Sequence, residues 1–344
     1  MAANVSYSKK SIDRAGKGLA RSDTLFKELT SPSASEEEIR ALAVVNHWRR
    51  AHSLTLRKLF ETVNSTLPDN NGLLLVGRIK KLETIVNKLR RKNITGDLTH
   101  MHDLAGCRLV VPDLESLRTM CDRLAGDAQC AGSLLGKYNY INAPRSTGYR
   151  GRHLIFKYDT SDYQGLSAEL QVRTKLQHAW ATAVESYDEA SGSQLKFGEA
   201  NNPAGAFFLA ASRLIQKREE GIDETSSLWA ELQANLRSSA GYRDVIGYLR
   251  AASSATYLDP TPNKTVSGYF LLDLIKEEQY LQIEKLEEAS AFEEYFEHED
   301  TSGGTHDLVL VRANTESDLR LAYPNYFGDV SVFLGFIEGV LGNQ

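Results

Sequence analysis

Between Leu73 and Glu189, short strand-like apolar runs alternate with amphipathic helical stretches, and few architectures accept that order. Leu73 to Ile79 reads as a buried strand, and Leu82, Ile85, Val86 and Leu89 then mark one face of a helix. Gly106 to Val111 is a second strand, stopped by Pro112; the helix after it buries Leu114, Leu117, Cys121 and Leu124. His153 to Tyr158 and Ala168 to Thr174 alternate as strands, and a helix from Lys175 to about Glu189 closes the block. This interleaving predicts an α/β (mixed α+β) fold, with a mixed sheet flanked by helices.

The flanking segments follow from composition and punctuation. Residues 1–34 are polar with one weak helical stretch, and Ser35 with Glu38 three residues on has the form of a capping box. A helix is expected from there through Ile39, Leu42 and Val45 to Leu56, Leu59, Phe60 and Val63, ended by the breaker Leu67-Pro68-Asp69-Asn70-Asn71-Gly72. Residues 35–200 are thus read as the main domain and 201–257 as a helical region. Leu258 to Asn263 reads as a linker, and 264–344 as a separate small α+β domain. That last unit shows two strand patterns (Tyr269–Ile275, Tyr280–Leu286), an acidic helix near Ala289–Glu299, a strand at Asp307–Arg312 and two short helices.

The net charge of -5 excludes a generally basic nucleic-acid coat but leaves room for a local basic patch. Cys107, Cys121 and Cys130 form no C-x-x-C pair and read as reduced thiols. No apolar run approaches the ~20 residues of a membrane span and the N-terminus lacks a signal-peptide core, so a cytoplasmic protein is expected.

The chemistry concentrates between Arg78 and Trp180. In Glu169-Leu170-Gln171-Val172-Arg173 a period of two sets the three polar residues on one face and buries Leu170 and Val172 on the other. Arg78 and Lys80 likewise share a face. Carboxylates hold hard divalent cations, arginine and lysine hold phosphates, and a tyrosine ring stacks on a base. Asp103, Glu169, the basic residues and Tyr149 therefore suggest a site for a nucleotide polyphosphate and its magnesium. A charged row is also the ordinary solvated side of an edge strand; the recurrence of such rows in one domain weighs against that reading. The basic run around Lys88, Arg90, Arg91 and Lys92 suits a helix end, with phosphate or tRNA contact as the functional alternative. His178 and Trp180 read as packing groups, and His47, Trp48 and His52 as a helix packing face.

The segment from about 40 to 190 resembles the synthetase domain of RelA/SpoT-type alarmone synthetases. Five blocks match in order: Arg78-x-Lys80 with Thr84-Ile85 and Lys88-Leu89; Asp103-x-x-Gly106-x-Arg108; Pro144-Arg145-x-x-Gly148-Tyr149 with His153; Glu169-x-Gln171-x-Arg173-Thr174; and His178-x-Trp180-Ala181. The resemblance implies a nucleotidyltransferase-like sheet and transfer of pyrophosphate from ATP to a nucleotide 3′-hydroxyl, releasing AMP. It implies that Arg78 and Arg108 sandwich adenine, that Lys80 holds phosphates, with Thr84 where the family commonly has serine, and that Asp103 and Glu169 bind Mg2+. Glu169 would also activate the hydroxyl. Tyr149 would stack on the acceptor guanine, Arg145 and His153 would contact acceptor phosphate or ribose, and Gln171 and Arg173 would brace the centre.

Two departures fall on the acceptor side: Tyr138 stands where the family often has lysine, and Arg145 replaces a lysine. GDP or GTP is the expected acceptor. The 3′ end of tRNA, attacked by a toxin of the toxin–antitoxin or phage-defence kind, is the alternative, and a non-catalytic nucleotide-binding regulator is a third reading. The 40 residues ahead of the block are too few for a hydrolase domain. In the C-terminal unit the acidic helix and the aromatic-rich run Tyr323-Pro324-Asn325-Tyr326-Phe327 read as a solvated face and local core; autoinhibition by acid laid over the basic site, or a surface that senses an antitoxin or regulatory partner, is the functional alternative, and a homo-oligomer is a candidate assembly.

Overall fold

The computed structural model describes residues 7–22, 24, 29, 34–67, 73–90, 97–126, 133–159, 164–195, 202–253, 267–275, 278, 280–302, 306–323 and 329–342. The breaker at 68–72, Arg91 and Lys92, Cys130, the linker at 258–263 and residues 324–328 lie outside them.

Helices α1 (Lys9–Arg21), α2 (Glu36–Ala51) and α3 (Ser53–Thr66) precede the alternating block. That block is β1 (Leu74–Ile79), α4 (Leu82–Leu89), β2 (Ala105–Val111), α5 (Leu114–Gly126), β3 (Ser133–Asn139), β4 (Arg152–Tyr158), β5 (Leu166–Thr174) and α6 (Lys175–Ser191). Then come α7 (Pro203–Glu219), α8 (Ser227–Arg237), α9 (Tyr242–Ser253), β6 (Gly268–Ile275), β7 (Tyr280–Leu286), α10 (Ala291–Thr301), β8 (His306–Ala313), α11 (Glu316–Ala322) and α12 (Ser331–Leu341). The eight strands form one mixed sheet in the order β3-β4-β5-β2-β1-β8-β6-β7, with β2 and β5 parallel and the other pairs antiparallel. The mixed α/β architecture is the one expected.

Each face of the sheet has its own cover. On one side α3 and α5 bury Leu56, Phe60, Leu117 and Cys121 against Leu75, Cys107, Leu170 and Val172. Gly77 permits this approach: a Cβ there would lie 3.0 Å from Leu56 Cδ1 and 3.2 Å from Phe60 Cδ2. The opposite face carries Arg78, Arg108, Glu169, Gln171 and Arg173, bordered by an apolar patch in which Leu319 and Tyr323 pack on Val76, Val110 and Val311. Helices α6 to α9 gather a separate core around Trp180, Phe207, Phe208 and Trp229, and α12 joins it through Phe333 and Ile337.

Three expectations change. The C-terminal strands occur in the expected order, yet they continue the main sheet instead of forming a detached unit: β8 pairs with β1 through Val76↔Ala313, Gly77↔Arg312 and Arg78↔Val311. Leu308 to Val311 is apolar at four successive positions and has two faces to bury, which an inner strand of a shared sheet provides. The long N-terminal helix breaks at His52, whose N–H bonds the Arg49 carbonyl at 3.1 Å while its ring Nδ1 lies 2.8 Å from the Trp48 carbonyl. Strand β3 lies where the sequence showed no strand; it is an edge, bulged between Leu134 and Gly136. Ser35 and Glu38 form the capping box as read, and among the described residues Cys107 and Cys121 are free, buried thiols. No described helix is long and apolar enough to cross a membrane.

Candidate active site

The strand register assembles the charged face. Arg78 pairs with Gly106, Gly106 with Glu169, Arg108 with Gln171, and Gln171 with His153. Gly106 thus stands between Arg78 and Glu169 without a side chain. A cleft opens there, lined by Arg78, Lys80, Asp103, Arg108, Glu169 and Gln171, with Tyr323 at its border.

Asp103 sits in the turn before β2, and both Lys80 and Lys88 reach it, at 2.8 Å and 2.9 Å. Burial alone would raise its carboxyl, but the two ammonium groups overcome burial and hold it well below the usual carboxylate range. Lys80 in turn is lowered by burial, partly restored by Asp103. Glu169 is buried too, which works against ionisation. The hydrogen bond and charge of His153 reverse that, so its carboxyl is lowered even though the Asp103 charge opposes it. Both carboxylates are therefore ionised at neutral pH, and each acts on one shared space.

A closed ring of hydrogen bonds surrounds Glu169. Arg173 Nη2 donates to Gln171 Oε1 at 2.9 Å, and Gln171 Nε2 donates to Glu169 Oε2 at 2.7 Å. His153 Nδ1 meets Glu169 Oε1 at 2.7 Å, its Nε2 meets the Tyr149 hydroxyl at 2.5 Å, and Arg173 Nε donates to that hydroxyl at 3.1 Å. Within it, Nδ1–H of His153 donates to Glu169 and the Tyr149 hydroxyl accepts from Arg173. The loop before β4 brings Tyr149 in. Gly148 takes φ 94°, with Trp180 and Ser212 so close that a side chain would meet both, and Ser212 Oγ donates to its carbonyl. Arg145 lies over Tyr140 at 4.6 Å, and Tyr138 is parallel to Tyr140, with ring centroids 6.1 Å apart.

The structure thus gathers Arg78, Lys80, Asp103, Arg108, Glu169 and Gln171 in one cleft and joins Tyr149, His153 and Arg173 to it through the ring. Arg145 is exposed beside Tyr140, and Thr84 is exposed on α4 outside the cleft lining. His178 and Trp180 pack as read, bonding the carbonyls of Leu321 and Phe208. Lys88 proves a direct partner of Asp103 and not only a solvated helix end; its block beside Lys80 was the available signal.

Tyr323 stood out in the sequence only as the start of an aromatic-rich run, without a link to the arginines. Its ring, only 3% exposed, lies 6.0 Å from the Arg78 guanidinium carbon and 5.7 Å from that of Arg108. The acidic helix α10 is elsewhere: Glu299 pairs with Arg49. An aromatic ring, and not a row of glutamates, is what the C-terminal unit presents to the basic cleft.

Residues 77–189 match the family described as a region found in RelA / SpoT proteins. The chain is 31% identical over 112 residues to GTP pyrophosphokinase YwaC of Bacillus subtilis (strain 168), covering 30% of this chain and 52% of that protein. It thus spans about half the length of that relative. It is 27% identical over 194 residues to GTP pyrophosphokinase YjbM of the same organism, covering 54% of this chain and 86% of that one. Among solved structures it is similar to small alarmone synthetase 1 from Bacillus subtilis bound to its product pppGpp, with TM-score 0.40, 21% identity, and coverage of 58% of this chain and 100% of that chain. The matched residues run from within β1 into α6, the segment that builds most of the cleft.

Proposed function

We propose that the cleft binds ATP and transfers its β,γ-pyrophosphate to the 3′-hydroxyl of GDP or GTP, forming (p)ppGpp and releasing AMP. The observation that carries this reading is the pair of ionised carboxylates, Asp103 and Glu169, lining one cleft with Lys80, Arg78 and Arg108. The relatives named GTP pyrophosphokinase support it.

Lys80 and Lys88 supply fixed positive charge for the triphosphate, and Arg78 and Arg108 supply cationic planes for the adenine. Transfer of this type needs positioning and charge stabilisation more than covalent help. Glu169 accepts the proton of the attacking 3′-hydroxyl as its oxygen bonds to the β-phosphorus; the bond between the β-phosphorus and the oxygen bridging it to the α-phosphorus breaks, and AMP leaves with that oxygen. His153 and Gln171 hold Glu169 in one orientation, and Arg173 and Tyr149 hold His153 and Gln171.

Asp103 and Glu169 fit Mg2+, which characteristically takes one or two carboxylates and completes its shell with phosphate oxygens and water. Bound there, the ion would neutralise phosphate charge. The Tyr323 ring lies at the cleft border, 6.0 Å and 5.7 Å from the two guanidinium carbons, so an adenine stacked on those arginines competes with it. A regulatory partner acting on the C-terminal unit would control that competition.

The 3′ end of tRNA is the second reading. It is favoured by the parallel rings of Tyr138 and Tyr140 beside Arg145, with Tyr138 48% exposed: a shelf on which a further base can stack. Incubation with γ-labelled ATP and Mg2+, offering GDP, GTP or bulk tRNA, separates the readings. Label on GDP or GTP supports the first and label on tRNA the second; no transfer, from the native chain or from Tyr323→Ala, defeats both and leaves a non-catalytic regulator.

A further inference from the structure

The turn that carries Lys80 is pinned from both sides. Its N–H donates to the Leu104 carbonyl at 2.8 Å, next to Asp103, and its own carbonyl accepts from Arg49 Nε at 2.6 Å. Arg49, on α2, is 0% exposed. Its Nη2 donates to the Tyr295 hydroxyl at 2.5 Å and to Glu299 Oε1 at 2.9 Å; its Nη1 donates to Asn46 Oδ1 at 3.1 Å and to the other Glu299 oxygen. The rings of Tyr295 and Phe296 lie 5.2 Å and 4.9 Å from its guanidinium carbon. One residue beyond, Lys81 pairs with Asp307 at the start of β8.

A buried guanidinium is tolerated when its hydrogen bonds are filled and its charge is matched, as α10 does here. The guanidinium is also planar and rigid, so the directions of its N–H groups are locked to one another. Whatever fixes the fork on Glu299 and Tyr295 therefore fixes the Nε–H that holds the Lys80 carbonyl. Lys80 has a rigid support on one side and the Asp103 turn on the other, which aims its ammonium at the carboxylate.

We propose that Arg49 is a positioning residue for the triphosphate: with Glu299 and Tyr295 of α10 it fixes the Lys80 turn so that the Lys80 ammonium meets the phosphates beside Asp103. The inference rests on the reading that Lys80 holds the phosphates of ATP. It makes a helix more than 200 residues away in sequence part of the nucleotide site's support.

The test is a coupling measurement on the full-length chain carrying Tyr323→Ala, which removes the competing ring. Binding of a non-hydrolysable ATP analogue and of AMP is measured by calorimetry with Glu299→Gln, Tyr295→Phe and Arg49→Lys, each alone and with Lys80→Ala. Thermal midpoints identify variants that fold; Tyr295→Phe, which loses one hydroxyl, serves where Arg49→Lys does not. Each is expected to weaken the triphosphate analogue roughly tenfold and AMP by less than about twofold, and to add less than about twofold once Lys80 is alanine. Equal losses with and without the Lys80 side chain, equal losses for AMP, or no loss at all would overturn the positioning role. If Lys80→Ala alone leaves analogue affinity unchanged, the phosphate role of Lys80 fails first, and the positioning role falls with it.

Discussion

At the scale of single residues, Glu169 is held at 2.7 Å by both His153 and Gln171. Glu169→Gln keeps the volume but removes the base, so transfer is expected to fall by roughly 10²–10⁴-fold with the thermal midpoint little changed. A steady-state rate near that of the native chain would contradict the assignment. Tyr323 predicts the opposite sign. Tyr323→Ala removes the ring beside Arg78 and Arg108, so ATP affinity and turnover rise, whereas Tyr323→Phe keeps the competing ring; titration with a fluorescent ATP analogue distinguishes them. Unchanged affinity in Tyr323→Ala would show that the ring does not compete with adenine. Much of this site was legible because strand alternation alone places Glu169, Gln171 and Arg173 on one face. Tyr323 was not, since nothing local to it encodes contact with arginines more than 200 residues earlier.

At the scale of elements, a strand was readable where burial patterned its residues. β1, β2 and β5 have apolar positions that must be covered, and their patterns announce it. β3 is an edge with Leu135 and Tyr138 exposed and a glycine beside its bulge, so its residues carry no burial pattern to read. The break at His52 was equally hidden, because it depends on the ring bonding its own helix's carbonyl without glycine or proline. The seating of α3 on β1 yields a stability prediction. Gly77→Val places a side chain in the 3.0 Å gap to Leu56, and the overpacking should cost about 1–3 kcal/mol in a denaturant titration. A midpoint equal to that of the native chain would show that α3 has room to move.

At the scale of the whole molecule, the sheet runs unbroken from the segment that matches the RelA / SpoT model into the C-terminal strands, with Arg312 of β8 packed between Phe60 of α3 and Tyr269 of β6. The two units were separable on paper because a loop-like stretch lies between them in sequence; the pairing of β8 with β1 is a long-range choice. The pH dependence of stability is also a property of the whole fold. Burial lowers His52 to about 4, and burial together with Arg108 and Arg173 lowers His178 to about 3. The folded state thus favours both rings neutral, while the unfolded chain takes up protons from pH ~6.5 downward. Stability is therefore full above pH ~6.5 and is lost toward pH 4 and 3, at up to ~1.4 kcal/mol per pH unit for each group. His178→Gln should flatten that slope in pH-dependent thermal melts; an unchanged slope would show that His178 is protonated without cost. The most direct test of the central claim is the identity of the nucleotide product, followed by phosphorus NMR, when the Tyr323→Ala chain meets ATP, Mg2+ and GTP. The account predicts AMP and a 3′-pyrophosphorylated guanosine in equal amounts; ADP with inorganic phosphate, or untouched ATP, would contradict it.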